Sequence, residues 1–221
     1  MTPVRIKIYD APEINVKEIL RYAGARGEMP ELKPLISECL AEAKDKLTYK
    51  VCYRQLSVID NGDFLDLSFA TTASNDLRKN LRGCESVVLF GATIGLGIDR
   101  LIAKYSSVSP VKALLFQAIG AERIESLCDT FNSEIKAEHM AVGKATRPRF
   151  SPGYGDFPIE MQRKIFDALD CAKNIGLTLN GSMLMSPSKS VTAIIGIGEI
   201  ECKTPASGCA TCSADCDYRR K

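Results

Sequence analysis

Three stretches of this 221-residue chain carry residues whose types and spacing suit chemistry. In Arg147-Pro-Arg-Phe-Ser-Pro-Gly-Tyr-Gly-Asp-Phe-Pro, guanidiniums and aromatic rings sit on a backbone stiffened by proline and opened by glycine. There Arg149 offers the planar donor fork that matches a carboxylate, Gly153 lets a ligand approach the backbone, and Tyr154 has a ring to stack on it or cover it. The second stretch, Cys202-x6-Cys209-x2-Cys212-x3-Cys216, supplies four thiolates, a set suited to a closed zinc site or an iron–sulfur cluster. Its spacing is neither the C-x3-C-x2-C run of radical enzymes nor the paired C-x2-C of a zinc ribbon, so iron–sulfur, zinc and no metal all stay open. The third, Gly91-Ala-Thr-Ile-Gly-Leu-Gly-Ile-Asp, invites a dinucleotide reading. Its glycines run G-x-x-x-G-x-G instead of G-x-G-x-x-G, with no acid in a strand about 20 residues on, and a tight strand-to-helix turn explains it better.

Composition narrows the field. A single histidine leaves little room for Ser–His–Asp catalysis, His-rich zinc chemistry or a two-metal histidine site. With 29 basic and 27 acidic side chains the charge is balanced, which argues against nucleic acid or an anionic membrane surface as partner. No apolar run reaches the roughly 20 residues of a membrane span, and the N-terminus lacks the apolar core of a signal peptide, so a cytoplasmic location is expected. In that compartment the nine cysteines read as thiols or metal ligands, not as a disulfide framework. Five of them, Cys39, Cys52, Cys84, Cys128 and Cys171, stand among apolar neighbours.

The elements that must position these residues follow from periodicity. Helical spacing marks residues 15–23, stopping at Gly24, and a second helix from Pro30 to about Leu47. Residues 49–54 alternate like a strand and 86–90 do so less clearly; Asn61-Gly62 reads as a turn, and Ser74 as the cap of a short helix ending at Gly83. The strongest signal spans residues 110–137, where Pro110 opens a one-faced helix with Leu114, Ala118, Ala121, Ile124, Cys128, Phe131 and Ile135 at steps of three and four. The pattern collapses over 139–156 into a loop of the kind that carries function. Pro158 opens another helix ending at Gly176, and residues 177–185 and 190–197 alternate like two strands joined at Ser186-Pro-Ser-Lys. No repeat or low-complexity linker is visible, which makes one α+β domain with a cysteine-rich tail the preferred reading.

Arg149-Phe-Ser-Pro-Gly-Tyr resembles the R-x-x-P-G-Y loop of the S-adenosylmethionine-binding activation domain of cobalamin-dependent methionine synthase. Leu20-Arg-Tyr-Ala-Gly, Gly83-Cys-Glu-Ser-Val-Val-Leu, Gly91-Ala-Thr-Ile-Gly, Asp99-Arg-Leu-Ile, the long helix from Ala121 to Asp129 and Leu177-Thr-Leu-Asn-Gly-Ser-Met-Leu-Met-Ser-Pro-Ser-Lys-Ser-Val are similar to stand-alone relatives of that domain, so the resemblance covers most of residues 15–200. The expected fold is α+β: a single domain with a twisted, mainly antiparallel sheet flanked by helices, one of them long (about 110–137), over residues 1–200, and a cysteine-rich tail, a candidate metal site, over 201–221.

The resemblance implies that Arg149 binds the methionyl carboxylate, that Ser151 and Gly153 contact S-adenosylmethionine through backbone, and that Tyr154 takes the catalytic place at the face meeting the corrinoid. The family's long helix presents an acid to the ligand; here Ser126 stands at the aligned position, and Glu125 beside it is the candidate for that contact. The strand after Ser186-Pro-Ser-Lys-Ser lacks the aromatic pair of the full-length enzyme. Around His139 the chain reads Ala137-Glu-His-Met-Ala-Val and not the D-x-H-x-x-G of cobalamin lower-ligand binding, so the cobalamin is expected on a separate methionine synthase or corrinoid protein, with a flavodoxin or ferredoxin as electron donor. The expected function is reductive methylation, that is reactivation, of that partner's cobalamin. If the chain is catalytic, the chemistry is methyl transfer. The alternatives are a non-catalytic corrinoid-protein interaction module and a metal-cluster electron-transfer accessory protein built on the tail.

Overall fold

The computed structural model describes residues 2–25 and 29–199. In chain order the elements are β1 (Arg5–Tyr9), α1 (Val16–Tyr22), a 3-10 turn (Pro30–Leu32) leading into α2 (Lys33–Ala43), and β2 (Tyr49–Ser57). Three two-residue strands follow, β3 (Ile59–Asp60), β4 (Leu65–Asp66) and β5 (Thr71–Thr72), then α3 (Asn75–Asn80), β6 (Cys84–Thr93), α4 (Gly97–Ser106) and α5 (Pro110–Met140). The chain continues through β7 (Lys144–Thr146), α6 (Met161–Leu169), α7 (Cys171–Ile175), β8 (Thr178–Leu179), β9 (Met185–Ser186) and β10 (Ser190–Glu199). The main sheet runs β1-β2-β6-β10-β7 and every neighbouring pair is antiparallel. This is the expected α+β domain, a curled antiparallel sheet flanked by helices, with the long helix in place.

Both faces of the sheet are covered, and that explains the weak alternation of its central strands. Val88 and Phe90 of β6 face one apolar cluster with Ile19, Ile36, Phe116 and Phe131, while Val87 and Leu89 face a second with Leu77, Phe157, Ile165 and Leu169. A strand buried on both sides has no polar face to alternate with. The helix α5, 31 residues long and opened by Pro110 at its first turn, lies along the first face. Its Phe131 ring sits 4.9 Å from Phe90 and 5.2 Å from Tyr53, centroid to centroid.

The structure corrects four boundaries. The loop expected over 139–156 contains β7, which pairs with Lys144–Glu199, Ala145–Gly198 and Thr146–Ile197 contacts at the sheet edge. The helix expected over 158–176 is two helices, broken at Asp170, whose backbone is left-handed (φ 45°, ψ 53°). The break turns Cys171 and Ile175 onto the sheet at Gly91, where a Cβ would lie 3.3 Å from the Cys171 sulfur; the absent side chain makes room for that approach. Residues 177–185 are not one strand: Thr178–Leu179 pairs with Met185–Ser186 in a small hairpin, closed by the Asn180 carboxamide oxygen accepting from Ser182 N (2.9 Å) and Leu184 N (3.0 Å). The helix capped by Ser74 ends at Asn80, three residues before Gly83.

The Gly-rich segment is a packing joint. Gly91 lies within β6, and Gly97 opens α4 so close to the preceding chain that a Cβ there would meet the Lys46 carbonyl oxygen at 1.9 Å. Ser74 Oγ accepts from Leu77 N at 3.0 Å at the start of α3. Ser74→Ala is expected to lower stability by about 1 kcal/mol, the usual cost of losing an N-cap, as measured by urea unfolding. An unchanged midpoint would mean that the cap is idle.

Candidate functional site

The 147–157 segment crosses from the sheet edge to α6, and it is fastened at both ends. Arg147 N donates to Gly196 O (2.8 Å), and Phe150 exchanges backbone hydrogen bonds with Ile194 (2.8 and 2.9 Å). Further on, Gly153 N donates to Phe157 O (2.8 Å), Phe157 N to Tyr154 O (3.0 Å) and Tyr154 N to Ser151 O (3.2 Å). Phe157 is buried in the second cluster, and the Asp156 carboxylate accepts from Ser74 Oγ (2.5 Å), Asn75 N (2.8 Å) and Asp76 N (3.1 Å) at the start of α3. These bonds from Ser74 and the two amides hold the Asp156 carboxyl below its ordinary range. The Tyr154 side chain is nevertheless 68% exposed. Gly153 has φ +90°, a conformation that side chains rarely tolerate, so the loop presents bare backbone beside an exposed ring.

The two guanidiniums part company. The Arg147 side chain is buried beside Gly196, with Leu81 and Cys84, on the α3 side of the sheet. Arg149 turns instead to α5: its Nη1 donates to Asp129 Oδ1 at 2.8 Å, and its Nη2 pairs closely with Glu125 Oε2. Glu125 and Asp129 stand one helical turn apart, the first 28% and the second 53% exposed, and Arg149 is 20% exposed. Burial works against the Arg149 charge, but Cys128, Glu125 and Asp129 outweigh it and hold the guanidinium above its ordinary value. Five N–H donors on a guanidinium leave capacity beyond these two bonds for an incoming carboxylate.

Among the residues expected from sequence, Arg149 and Glu125 therefore touch, while Ser151, Gly153 and Tyr154 follow on the same fastened loop. Ser126 goes elsewhere: its hydroxyl donates to Glu122 Oε1 at 2.8 Å. That carboxylate forms a buried pair with Arg123, both 2% exposed, and also accepts from Asn15 N at 3.0 Å. Asp129 was not among the sequence candidates. The signal that would have found it is its spacing, four residues after Glu125 on the same face of a helix.

The other expectations are soon placed. Cys202, Cys209, Cys212 and Cys216 lie outside the described residues. Among the described residues, no group of three or more His, Cys, Asp or Glu side chains is arranged to hold a metal ion. Cys39, Cys52, Cys128 and Cys171 are buried, in keeping with their apolar surroundings. His139 sits in the last turn of α5 with Nδ1 2.9 Å from Ile135 O. No helix among the described residues is long and apolar enough to cross a membrane. Surface cavities of about 540 and 590 Å³ open beside Lys46 and Arg100 and beside Arg163 and Asp170; neither is lined by Arg149 or its partners.

A curled antiparallel sheet backed by one long helix, with the arginine–glycine–tyrosine loop at its edge, has the fold of a reactivation domain. A solved structure described as the crystal structure of the MetH reactivation domain bound to AdoHcy superposes with a TM-score of 0.65 at 13% sequence identity, covering 93% of this chain and 81% of that one. The family model for the vitamin B12 dependent methionine synthase activation domain matches residues 73–201, more than half of the chain, and the chain belongs to that family. No curated protein sequence matches it.

Proposed function

We propose that this protein binds S-adenosylmethionine at the Arg149 loop and supports reductive methylation of a cobalamin carried by a separate methionine synthase or corrinoid protein. The observation that carries the reading is Arg149 itself: a half-buried guanidinium held against α5 by Glu125 and Asp129, on a loop fastened to β10 and α3. The ligand supplies an electrophilic sulfonium methyl group, and the partner's reduced corrinoid is the nucleophile. The chain's own part is binding and orientation. Arg149 receives the methionyl carboxylate on its remaining donors, the backbone at Ser151 and Gly153 lies against the nucleoside, and the exposed Tyr154 ring faces the incoming corrinoid. A flavodoxin or ferredoxin supplies the electron. In this reading residues 1–200 are the binding domain, in the cytoplasm, and 201–221 a separate tail; metal analysis of anaerobically purified protein decides between iron, zinc and neither for its four cysteines.

Calorimetric titration of S-adenosylmethionine is expected to give saturable heat with the wild type. For Arg149→Ala the affinity should fall about 10- to 150-fold, which corresponds to roughly 1.5–3 kcal/mol for hydrogen bonds to a charged group. No heat with the wild type would remove the ligand and leave the corrinoid-protein interaction module as the reading.

A further inference from the structure

Two buried thiols meet on the sheet face that carries α7. Cys52, in β2, and Cys171, the first residue of α7, are 119 positions apart in the chain, yet their sulfurs stand 3.9 Å from each other. Gly91, opposite Cys52 in the register of β2 and β6, makes room for the meeting: a Cβ there would lie 3.3 Å from the Cys171 sulfur and 3.6 Å from that of Cys52. The two partners differ in freedom. The strand β2 is held between β1 and β6. The helix α7 has five residues and lies between two left-handed residues, Asp170 (φ 45°) and Gly176 (φ 70°), so small rotations at its two ends shift it as a unit. A disulfide bond is about 2 Å long, so the sulfurs must close by about 2 Å to form one. Cys171 also lines the cavity of about 590 Å³ that opens beside Asp170, Thr178 and Leu179.

We propose that Cys52 and Cys171 form an oxidative modification site: hydrogen peroxide entering the cavity beside α7 converts the two thiols into a disulfide that pins α7 to β2. The inference is independent of the ligand reading of the Arg149 loop. In the first step the Cys171 sulfur attacks one peroxide oxygen; the S–O bond forms, the O–O bond breaks, and the other oxygen leaves as water with the thiol proton. In the second step the Cys52 sulfur attacks the sulfenic sulfur; the S–S bond forms, and the hydroxyl leaves as water with the Cys52 proton. One peroxide is reduced to two waters while two thiols are oxidised to one disulfide. The hydrogen bond from Cys171 holds the Cys52 thiol below its ordinary range, which favours it as the attacking group of the second step.

The test treats the folded protein with hydrogen peroxide, blocks the remaining thiols after unfolding, and maps the peptides by mass spectrometry. The expected product is a cross-linked pair containing Cys52 and Cys171, lighter by two hydrogens than the two thiol peptides together and separated by dithiothreitol. Oxidation should raise the thermal midpoint of the wild type on the order of 5–15 °C, because a cross-link across so long a loop restricts the unfolded chain, and dithiothreitol should reverse the gain. Cys52→Ala and Cys171→Ala, which keep all the other cysteines, should show neither the cross-link nor the shift. If Cys52 and Cys171 stay unlinked while other cysteines oxidise, or if they link and the midpoint does not rise, the proposal is overturned. The mapping needs only the wild type, so it decides the question even where a variant fails to fold.

Discussion

Glu122→Ala is expected to cost about 3–5 kcal/mol of folding stability, a large share of the roughly 5–15 kcal/mol that holds a domain of this kind folded. Glu122 and Arg123 are each 2% exposed, adjacent in the sequence and on the long helix α5. Arg123 donates to the carboxylate from Nε (2.5 Å) and Nη2 (2.6 Å), and to the carbonyls of Pro12 and Glu13 (both 2.5 Å). Burial works against the Arg123 charge, but Glu122 and Tyr49 more than restore it, so the guanidinium titrates above its ordinary value. Removing the carboxylate strands a buried cation and unties Asn15, which begins α1, from the long helix. Urea unfolding measures the loss. Replacing both members with apolar residues, Glu122→Leu with Arg123→Met, should cost less than the single change, because no charge is left unpaired. A loss under about 1 kcal/mol for Glu122→Ala would mean that water reaches the pair.

Phe131→Ala is the second large effect, again about 3–5 kcal/mol, because it removes a fully buried ring from the seam between α5 and the sheet. The ring touches Tyr53 of β2 edge-on and Phe90 of β6 at a tilt, so the change leaves a cavity beneath two central strands. Its position on α5 is two residues beyond Asp129, so the variant also tests how far the seam supports the site. Folded Phe131→Ala protein should bind S-adenosylmethionine less well than wild type at the same temperature. Full stability by urea unfolding would show that the seam closes around the gap.

The main elements were legible because they depend on neighbours in the chain. The apolar positions of α5 recur at three and four residues over its whole length, so 110–137 reads as a helix and is one, extended to Met140. The central strand β6 was harder, since a strand covered on both faces loses its alternation, whereas 190–197 read as a strand and is one, β10. Cys171 could not be told from a continuing helix position, because the break at Asp170 answers to the space over Gly91, a strand 80 residues earlier. At the site, the loop motif singled out Arg149, Gly153 and Tyr154, and Glu125 was named from the alignment of the long helix. Asp129 and the diversion of Ser126 to Glu122 were not visible, because both depend on how α5 rotates against the sheet.

By itself the amino-acid order determined the long helix, the capped turns, the proline- and glycine-bearing loop of the 147–157 segment and its family likeness, properties set by local periodicity and turn chemistry. Only the tertiary structure decided where the charges meet. Arg149 pairs with acids 20 and 24 residues away because Phe150 is tied to β10 while α5 packs on the same sheet, and Arg147 lies on the other face beside Gly196. Ion pairs across such distances follow from the angle between a helix and a sheet edge, a quantity that no stretch of sequence encodes alone.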